Sequence, residues 1–180
     1  NVTGKISSGR GFVRADGHDY VSVSGLMGSS ANVTLSGWAS LTSRDTRGAH
    51  ILNIGDNLGL NLDDAVVGSY GFAYFNAAWN HTTNNAFYAG TGWHYLTYTF
   101  DDAGNVQRFY VDGVQVASTA FTPSINYALG TSTYIGAHPN NNRDFDFDGS
   151  IDEVRVASSV RSAGWILTEF NNQNSPSSFY

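Results

Sequence analysis

Residues 92–117, GWHYLTYTFDDAGNVQRFYVDGVQVA, decide the fold class, because they contain two strand connections in succession. The second connection is Asp112 followed by Gly113. Both central residues of a type I′ hairpin turn need a positive φ, which Asp and Gly tolerate. The stretch therefore predicts an antiparallel hairpin, and the fold class that it favours is an all-β sandwich of two antiparallel sheets.

The expected register of this hairpin follows from the turn. If the turn forms, Val111 faces Val114 and Phe109 faces Val116. Side chains alternate between the two faces of a strand, so all four apolar side chains are expected on one side of the sheet. The turn type and the apolar pattern thus predict the same hairpin.

Short strands with turn signals between them recur along the chain, as in a sandwich or a jelly roll. The predicted strands cover residues 20–23, 33–41, 51–54, 58–62, 69–79, 134–136 and 149–156. One short C-terminal helix is predicted: Ser162 is a suitable N-cap, and Trp165, Ile166 and Phe170 fall at helical spacing. We expect the helix to run through Asn171 and pack on a sheet edge, and residues 172–180 to form a loose tail or linker stub.

The composition is that of one packed domain. The 180 residues fit a single all-β unit, and a hydrophobic fraction of 41% supplies enough apolar side chains for a core. Charged residues make up only 13%, so Ser, Thr, Asn and Gly provide the surface polarity. There is no cysteine, as is common in bacterial surface domains. We expect residues 1–180 to be one monomeric module of a larger extracellular or cell-surface protein.

The net charge of −6 argues against nucleic acid as a partner, because phosphate binding needs clustered Lys and Arg. It also disfavours docking to anionic membranes. No apolar run approaches the ~18 residues of a membrane span. Mild acidity is compatible with cations and with neutral sugars.

Four ordered segments together resemble a known family: residues 14–23, 35–39, 92–116 and 147–156. Their order and spacing are similar to the laminin-G-like branch of the concanavalin A-like lectin/glucanase superfamily, and residues 161–173 resemble the short helix that ends many bacterial members. The resemblance implies a jelly roll of two antiparallel sheets. It also implies a mostly non-catalytic extracellular module that binds glycans or proteins and often holds one calcium ion.

The resemblance also implies a position for that calcium. An Asp on the last strand of the family often meets carbonyls near the first strand, and Asp152 matches that Asp. The matching first-strand region supplies Asp16 and Gly17, so residues 20–23 are expected beside residues 151–156. Oxygen ligands suit Ca²⁺, whose role here would be structural. The alternative is that Asp152 caps backbone N–H groups while Asp16 and Gly17 form a turn.

An EF-hand is a poorer interpretation of the acidic residues. Residues 144–149 match D-x-D-x-D-G, but position 12 of that loop is Arg155, where a bidentate Glu is needed.

Sugar-binding sites combine an aromatic platform with Asn, Asp and Arg side chains that bond to hydroxyls. Alternation places Tyr70 and Tyr74 on one strand face, a polar loop follows Trp79, and a second polar loop spans residues 138–143. The predicted ligand-binding residues are Tyr70, Tyr74, Trp79, His81, Asn85, Asn141 and Arg143. The alternative is that the rings are core residues and the Asn run is a solvated turn.

The sequence favours a protein without catalytic activity. Glycosidases of the retaining type need two nearby carboxyl groups, and the only glutamates, Glu153 and Glu169, fall in different elements. The predicted function is therefore a non-catalytic carbohydrate-binding module. The first alternative is a protein-binding or spacer module of a surface adhesin. A polysaccharide lyase or hydrolase is the less favoured third.

Overall fold

The computed structural model describes residues 1–14, 19–140 and 142–178. Within these ranges, thirteen strands and one α-helix form two stacked antiparallel sheets. The strands are β1 (Val2–Thr3), β2 (Ser8–Phe12), β3 (Val21–Val23), β4 (Val33–Leu41), β5 (Ala49–Ile54), β6 (Leu58–Asp64), β7 (Gly68–Phe75), β8 (Ala78–Asn84), β9 (Trp93–Asp101), β10 (Val106–Val111), β11 (Val114–Ala120), β12 (Thr133–Ile135) and β13 (Gly149–Ala157). The helix, α1, is Ala163–Asn174, and short 3₁₀ turns cover Arg143–Phe145 and Pro176–Ser178. The predicted all-β fold with two antiparallel sheets and one short C-terminal helix is confirmed.

The two sheets have different strand orders and share one core. The seven-stranded sheet has the order β1-β2-β13-β4-β9-β10-β11, and the six-stranded sheet has the order β3-β12-β5-β6-β7-β8. Side chains from both sheets interlock: a Cβ atom built on Gly71 of β7 would lie 2.0 Å from the Tyr98 ring of β9. The Tyr98 ring therefore fills the space that a larger residue at position 71 would need.

The turn of the β10–β11 hairpin forms as predicted. Asp112 and Gly113 have φ values of 52° and 79°, and Val111 opposes Val114. These two positive φ values are those that a type I′ turn requires.

The rest of the predicted register is wrong, because a β-bulge lies between Phe109 and Tyr110. The extra residue makes Phe109 oppose Ala117 instead of Val116. Phe109 and Val111 are buried, whereas Val114 and Val116 are exposed. β11 is the edge strand of its sheet, so its outer residues have less protein to pack against.

The pairing expected for the last strand is also wrong in part. β13 pairs with β2, where Ile151 opposes Arg10, and not with residues 20–23. β3 belongs to the other sheet, where Val21 opposes Ile135 of β12. The chain crosses from one sheet to the other between β2 and β3, so β3 and β13 are neighbours across the sandwich and line one shallow pocket.

The helix begins as predicted, and its packing is predicted in part. The Ser162 side chain caps it by accepting a hydrogen bond from the Trp165 N–H at 3.2 Å. Trp38 Nε1 of β4 donates to Gln173 Oε1 at 2.5 Å, and the Tyr95 hydroxyl of β9 donates to Glu169 at 2.7 Å. β4 and β9 lie inside the seven-stranded sheet, so α1 covers part of an outer face as well as contacting the edge strand β11, where edge packing was expected. Asn172–Asn174, expected in the tail, are helical.

Candidate ligand-binding cleft

Alternation along β7 turns its aromatic side chains outward. The small residues Gly71 and Ala73 face the core, which places Tyr70, Phe72 and Tyr74 on the outer face of the six-stranded sheet. On the neighbouring strand β8, His81 opposes Phe72 and Trp79 opposes Tyr74. These cross-strand pairs gather five rings on one surface.

A cleft of about 240 Å³ opens on this surface. One side consists of outward side chains of β5 to β8, and the rest comes from the turns before and after β5 and the loop after β12. Its lining residues are Arg47, His50, Asp56, Asp64, Tyr70, Phe72, Trp79, His81, His138, Asn140, Asn142 and Phe145. The cleft thus combines aromatic faces with charged and amide side chains.

Trp79 is exposed and yet fixed in position. Its side chain keeps 46% of its surface accessible. Its Nε1–H donates both to Asp56 Oδ1, at 3.1 Å, and to the Asp56 carbonyl oxygen, at 3.0 Å. The Tyr74 ring supports the indole from the side, with ring centroids 5.4 Å apart. The arrangement presents a flat, pre-positioned aromatic surface beside the cleft.

Asp56 also holds the opposite wall. Its Oδ1 lies 3.2 Å from Nε2 of His138, and both side chains are almost completely buried. His138 Nδ1 accepts a hydrogen bond from the Asn140 N–H at 3.3 Å, so Nε2 carries the proton that is donated to Asp56. One carboxylate therefore joins the tryptophan on β8 to the loop after β12.

His50 lies beneath this loop in a stack of rings. Its ring centroid is 5.0 Å from that of His138 and 4.5 Å from that of Phe145. Burial lowers the pKa of His50 well below its ordinary value, and charge on His138 or His81 would lower it further. His50 is therefore a neutral imidazole at pH 7, and its Nδ1 has no hydrogen-bond partner among the described residues.

Tyr70 and His81 form a second stack, with centroids 4.1 Å apart and an interplanar angle of 17°. Burial lowers the pKa of His81, while the Asp64 carboxylate opposes that change. Burial raises the pKa of the Tyr70 phenol, which keeps it protonated, and the nearby Asn61 side chain opposes that change only in part. Both rings are thus uncharged at neutral pH.

Arg47 is the cation of the cleft. Its guanidinium lies 5.9 Å from the centroid of the Phe145 ring. Within residues 1–14, 19–140 and 142–178, no carboxylate approaches it to ion-pair distance. Asn140 and Asn142 stand nearby and use their side-chain oxygens within the loop, at 3.0 and 3.1 Å from the N–H groups of Asn142 and Asp144. The guanidinium and both amide NH₂ groups remain available as donors to a ligand.

Comparison with known proteins identifies the fold family. A laminin-G family model, described as the concanavalin A-like lectin/glucanases superfamily, matches residues 15–167. The chain belongs to this superfamily. No curated protein is significantly similar to it in sequence.

Several solved structures share the fold of this laminin-G-like domain at low sequence identity. Domain 4 of AbnA, a GH43 extracellular arabinanase from Geobacillus stearothermophilus solved with arabinotriose, is 18% identical with a TM-score of 0.65, covering 92% of this chain and 89% of that one. The CBM40 of a Ruminococcus gnavus IT-sialidase, bound to α2,3-sialyllactose, is 13% identical with a TM-score of 0.63, covering 79% and 84%. A candidate carbohydrate-binding protein from Bacteroides ovatus is 17% identical with a TM-score of 0.66. That match covers 84% of this domain and 44% of the Bacteroides ovatus chain. At these identities the likeness shows the fold.

The laminin-G-like domain brings together three of the residues predicted to bind ligand. Tyr70, Trp79 and His81 line the cleft, and Tyr74 packs behind Trp79. Asn85 follows the far end of β8, roughly 20 Å along the strand from Trp79 at about 3.3 Å per residue, and does not line the cleft.

The second predicted loop contributes through other residues than those expected. Arg143 does not line the cleft; its side chain is 57% exposed and pairs with Asp146 at 3.3 Å. Asn141 lies outside the described residues. Their neighbours Asn140 and Asn142 line the cleft instead.

Sequence reasoning missed Arg47, His50, Asp56, Asp64, His138 and Phe145. A signal was present for His50, a polar residue at the start of an otherwise largely apolar strand. Alternation could not place it with Asn53, three residues further on, because a β-bulge lies between His50 and Leu52. Asp56 and His138, by contrast, lie in turns, where neither strand nor helix periodicity indicates which way a side chain faces.

The structure shows Asp152 acting as a backbone cap. Its Oδ2 accepts from the Ile6 N–H at 2.9 Å and its Oδ1 from the Glu153 N–H at 2.8 Å. Asp16 and Gly17, the other predicted calcium ligands, lie outside the described residues. Across the part of the chain that is described, no three His, Asp or Glu side chains cluster as a metal site.

A second cleft lies beside α1 on the other sheet, and most of its polar side chains already bond within the fold. Thr34 donates to the Ser159 carbonyl and accepts from the Arg161 N–H. Glu169 accepts from both Tyr95 and Arg155. Trp165 is 52% exposed here, and the Arg161 guanidinium lies over its ring. Because Thr34, Arg155 and Glu169 serve the fold and Arg161 covers the tryptophan, the cleft on the six-stranded sheet is the better candidate site.

Proposed function

We propose that this laminin-G-like domain is a non-catalytic carbohydrate-binding module of an extracellular or cell-surface protein. The observation that carries the proposal is the exposed indole of Trp79, held by Asp56 at the edge of a polar and aromatic cleft. Sugars present C–H groups that pack on aromatic rings and hydroxyls that bond to side chains such as Arg47, Asn140 and Asn142. Binding sites typically combine such apolar walls with a few placed polar groups.

The comparisons support this class of ligand without fixing it. Two similar folds were solved with arabinotriose and with sialyllactose. Fold alone does not determine function, so the proposal depends on the cleft. No helix in the described ranges combines the length and apolarity needed to cross a bilayer.

The roles of the two cleft carboxylates support binding more than catalysis. Asp56 Oδ1 fixes Trp79 and His138, and Asp64 Oδ1 accepts from the N–H groups of Val66 and Val67 at 2.8 and 3.1 Å. Asp56 thus positions two walls of the cleft, and one oxygen of Asp64 holds the turn after β6.

The test is a glycan array, followed by calorimetric titration of the best ligand with two matched variants. Trp79→Ala removes the proposed platform, and Trp165→Ala removes an equally exposed tryptophan elsewhere. We expect Trp79→Ala to weaken binding about 5-fold or more, since a nucleic-acid base stacked on an aromatic side chain contributes roughly 1–3 kcal/mol. Trp165→Ala should leave affinity unchanged.

Equal effects of the two variants would refute the assignment of the cleft. If no glycan is retained, the protein-binding or spacer role in a surface adhesin becomes the better interpretation. Release of reducing ends or unsaturated uronates from mixed polysaccharides would instead indicate a hydrolase or a lyase.

We also propose the structural calcium that the family resemblance implies, with Asp16, Gly17 and Asp152 as its ligands. Each Asp152 oxygen accepts one N–H and keeps a second lone pair, which is compatible with coordination. Calcium should then raise Tm relative to EDTA in the wild type and not in Asp152→Asn. Identical Tm values with calcium and with EDTA would exclude the site.

A further inference from the structure

We infer that the cleft on the six-stranded sheet binds an uncharged sugar and disfavours acidic sugars such as uronates. The inference rests on the proposed carbohydrate-binding function and names the ligand class for that site. It follows from the charges that line the cleft and from the hydrogen-bonding groups that remain free there.

The formal charge of the lining is negative. One cation, Arg47, faces two anions, Asp56 and Asp64, which leaves a net charge of −1 from these residues. The histidines do not reverse this sign: burial lowers the pKa values of His50 and His81, and His138 uses its Nδ1 as an acceptor. The whole chain, at −6, repels anions as well.

The two aspartates lie toward opposite ends of the cleft. Asp56 precedes β6 and Asp64 is its last residue, so roughly 20 Å of strand, at about 3.3 Å per residue, separates their backbones. A ligand carboxylate near either end therefore has one aspartate close to it. At an effective dielectric constant of about 20, one like charge at about 8 Å weakens binding roughly 30-fold.

The free hydrogen-bonding groups suit hydroxyls. Arg47, Asn140 and Asn142 offer donors, and Asp64 keeps one oxygen as an acceptor. A hydroxyl both donates and accepts, whereas a carboxylate only accepts and would face the free oxygen of Asp64 unbonded.

The experiment compares neutral and acidic glycans on an array at pH 7.5. It then titrates chemically matched pairs, namely oligogalacturonides as free acids and as methyl esters. We expect neutral glycans to be retained, esters to bind at least 10-fold more tightly than free acids, and added NaCl to narrow that difference by screening. Neutral ligands should show little dependence on salt.

Two variants locate the effect in the cleft. Asp64→Asn keeps the oxygen that accepts from Val66 and Val67 and removes one negative charge, so it should raise the affinity for free acids several-fold. Arg47→Gln should weaken binding of neutral ligands, and Arg108→Gln, which removes an arginine paired with Asp101 on the other sheet, should not.

Acidic glycans that bind more tightly than their neutral counterparts, with affinity falling as salt rises, would overturn this inference and leave the carbohydrate-binding function standing. An array on which no glycan is retained would overturn both.

Discussion

Nε1 of Trp79 lies 3.1 Å from Oδ1 of Asp56, and the same carboxylate oxygen lies 3.2 Å from Nε2 of His138. Trp79 belongs to β8, Asp56 to the turn between β5 and β6, and His138 to the loop after β12. A single buried carboxylate therefore sets the relation between the exposed ring and the opposite wall of the cleft. A ring held in this way loses little conformational entropy when a ligand packs on it.

Asp56→Ala should reduce both glycan affinity and stability, because it removes the only side-chain acceptor seen for the buried His138 Nε2–H among the described residues and leaves Trp79 Nε1–H with the backbone carbonyl alone. Hydrogen bonds to a charged group contribute about 1.5–3 kcal/mol, so we expect a clear loss in the free energy of unfolding in urea. Glycan affinity should fall about 10-fold by calorimetry. Asp56→Asn keeps one acceptor oxygen and should recover part of both quantities, and Asp102→Ala on a surface turn should change neither. If Asp56→Ala bound glycans with wild-type affinity, ligand binding would not depend on the hydrogen bond between the Asp56 carboxylate and Trp79.

Stability should fall as the pH drops from 7.5 to 5. The pKa of His50 is lowered in the folded state by burial, while in the unfolded chain it is near 6.5. Below about pH 6.5 the unfolded state therefore binds a proton at His50 that the folded state does not bind. The contribution of the neutral, buried His50 to stability is fully present above about pH 6.5 and is lost as the pH falls toward the folded-state pKa of His50. His81 acts in the same direction. Urea denaturation at several pH values measures the slope.

The matched variant for this effect is His50→Phe, which retains a ring against His138 and Phe145. It should make the dependence on pH shallower without abolishing it, since His81 remains. If the slope of unfolding free energy against pH were unchanged in His50→Phe, the pKa of His50 would be the same in the folded and unfolded states.

Gln173→Ala should destabilise the fold by about 1–3 kcal/mol, because it leaves the buried indole N–H of Trp38 without an acceptor. Asn172→Ala, at an exposed neighbouring position of α1, should change the free energy of unfolding by less than about 0.5 kcal/mol. Chemical denaturation compares the two. Similar values for both variants would show that the helix contributes to stability without this hydrogen bond.

Gly113→Ala should cost about 1–2 kcal/mol, because the residue has φ +79° and an added Cβ would lie 3.0 Å from Leu167. Gly164→Ala, inside α1 with open space around it, should instead be neutral or stabilising by up to about 1 kcal/mol. Thermal and urea unfolding of the pair distinguish turn strain from a general effect of added methyl groups.

Local patterns predicted those parts of the fold that depend on near neighbours in sequence. The Asp112 and Gly113 turn, the N-cap at Ser162 and the outward alternation of Tyr70 and Tyr74 all follow from preferences within a few residues. The bulge at Phe109 escaped prediction, because it depends on packing against another strand.

The sequence by itself determined the fold class, the turn, the helix start and the shared strand face of Tyr70 and Tyr74. Only the tertiary structure decided that Trp79 and His81 lie on a second strand beside them and which loops meet that strand pair. Arg47 and Asp56, at the two ends of β5, and the distant His138 converge because β12, β5 and β6 are adjacent in one sheet. That adjacency results from strand pairing between residues far apart in sequence. The interaction energies that favour this pairing come from contacts throughout the core, so no short segment of sequence predicts it.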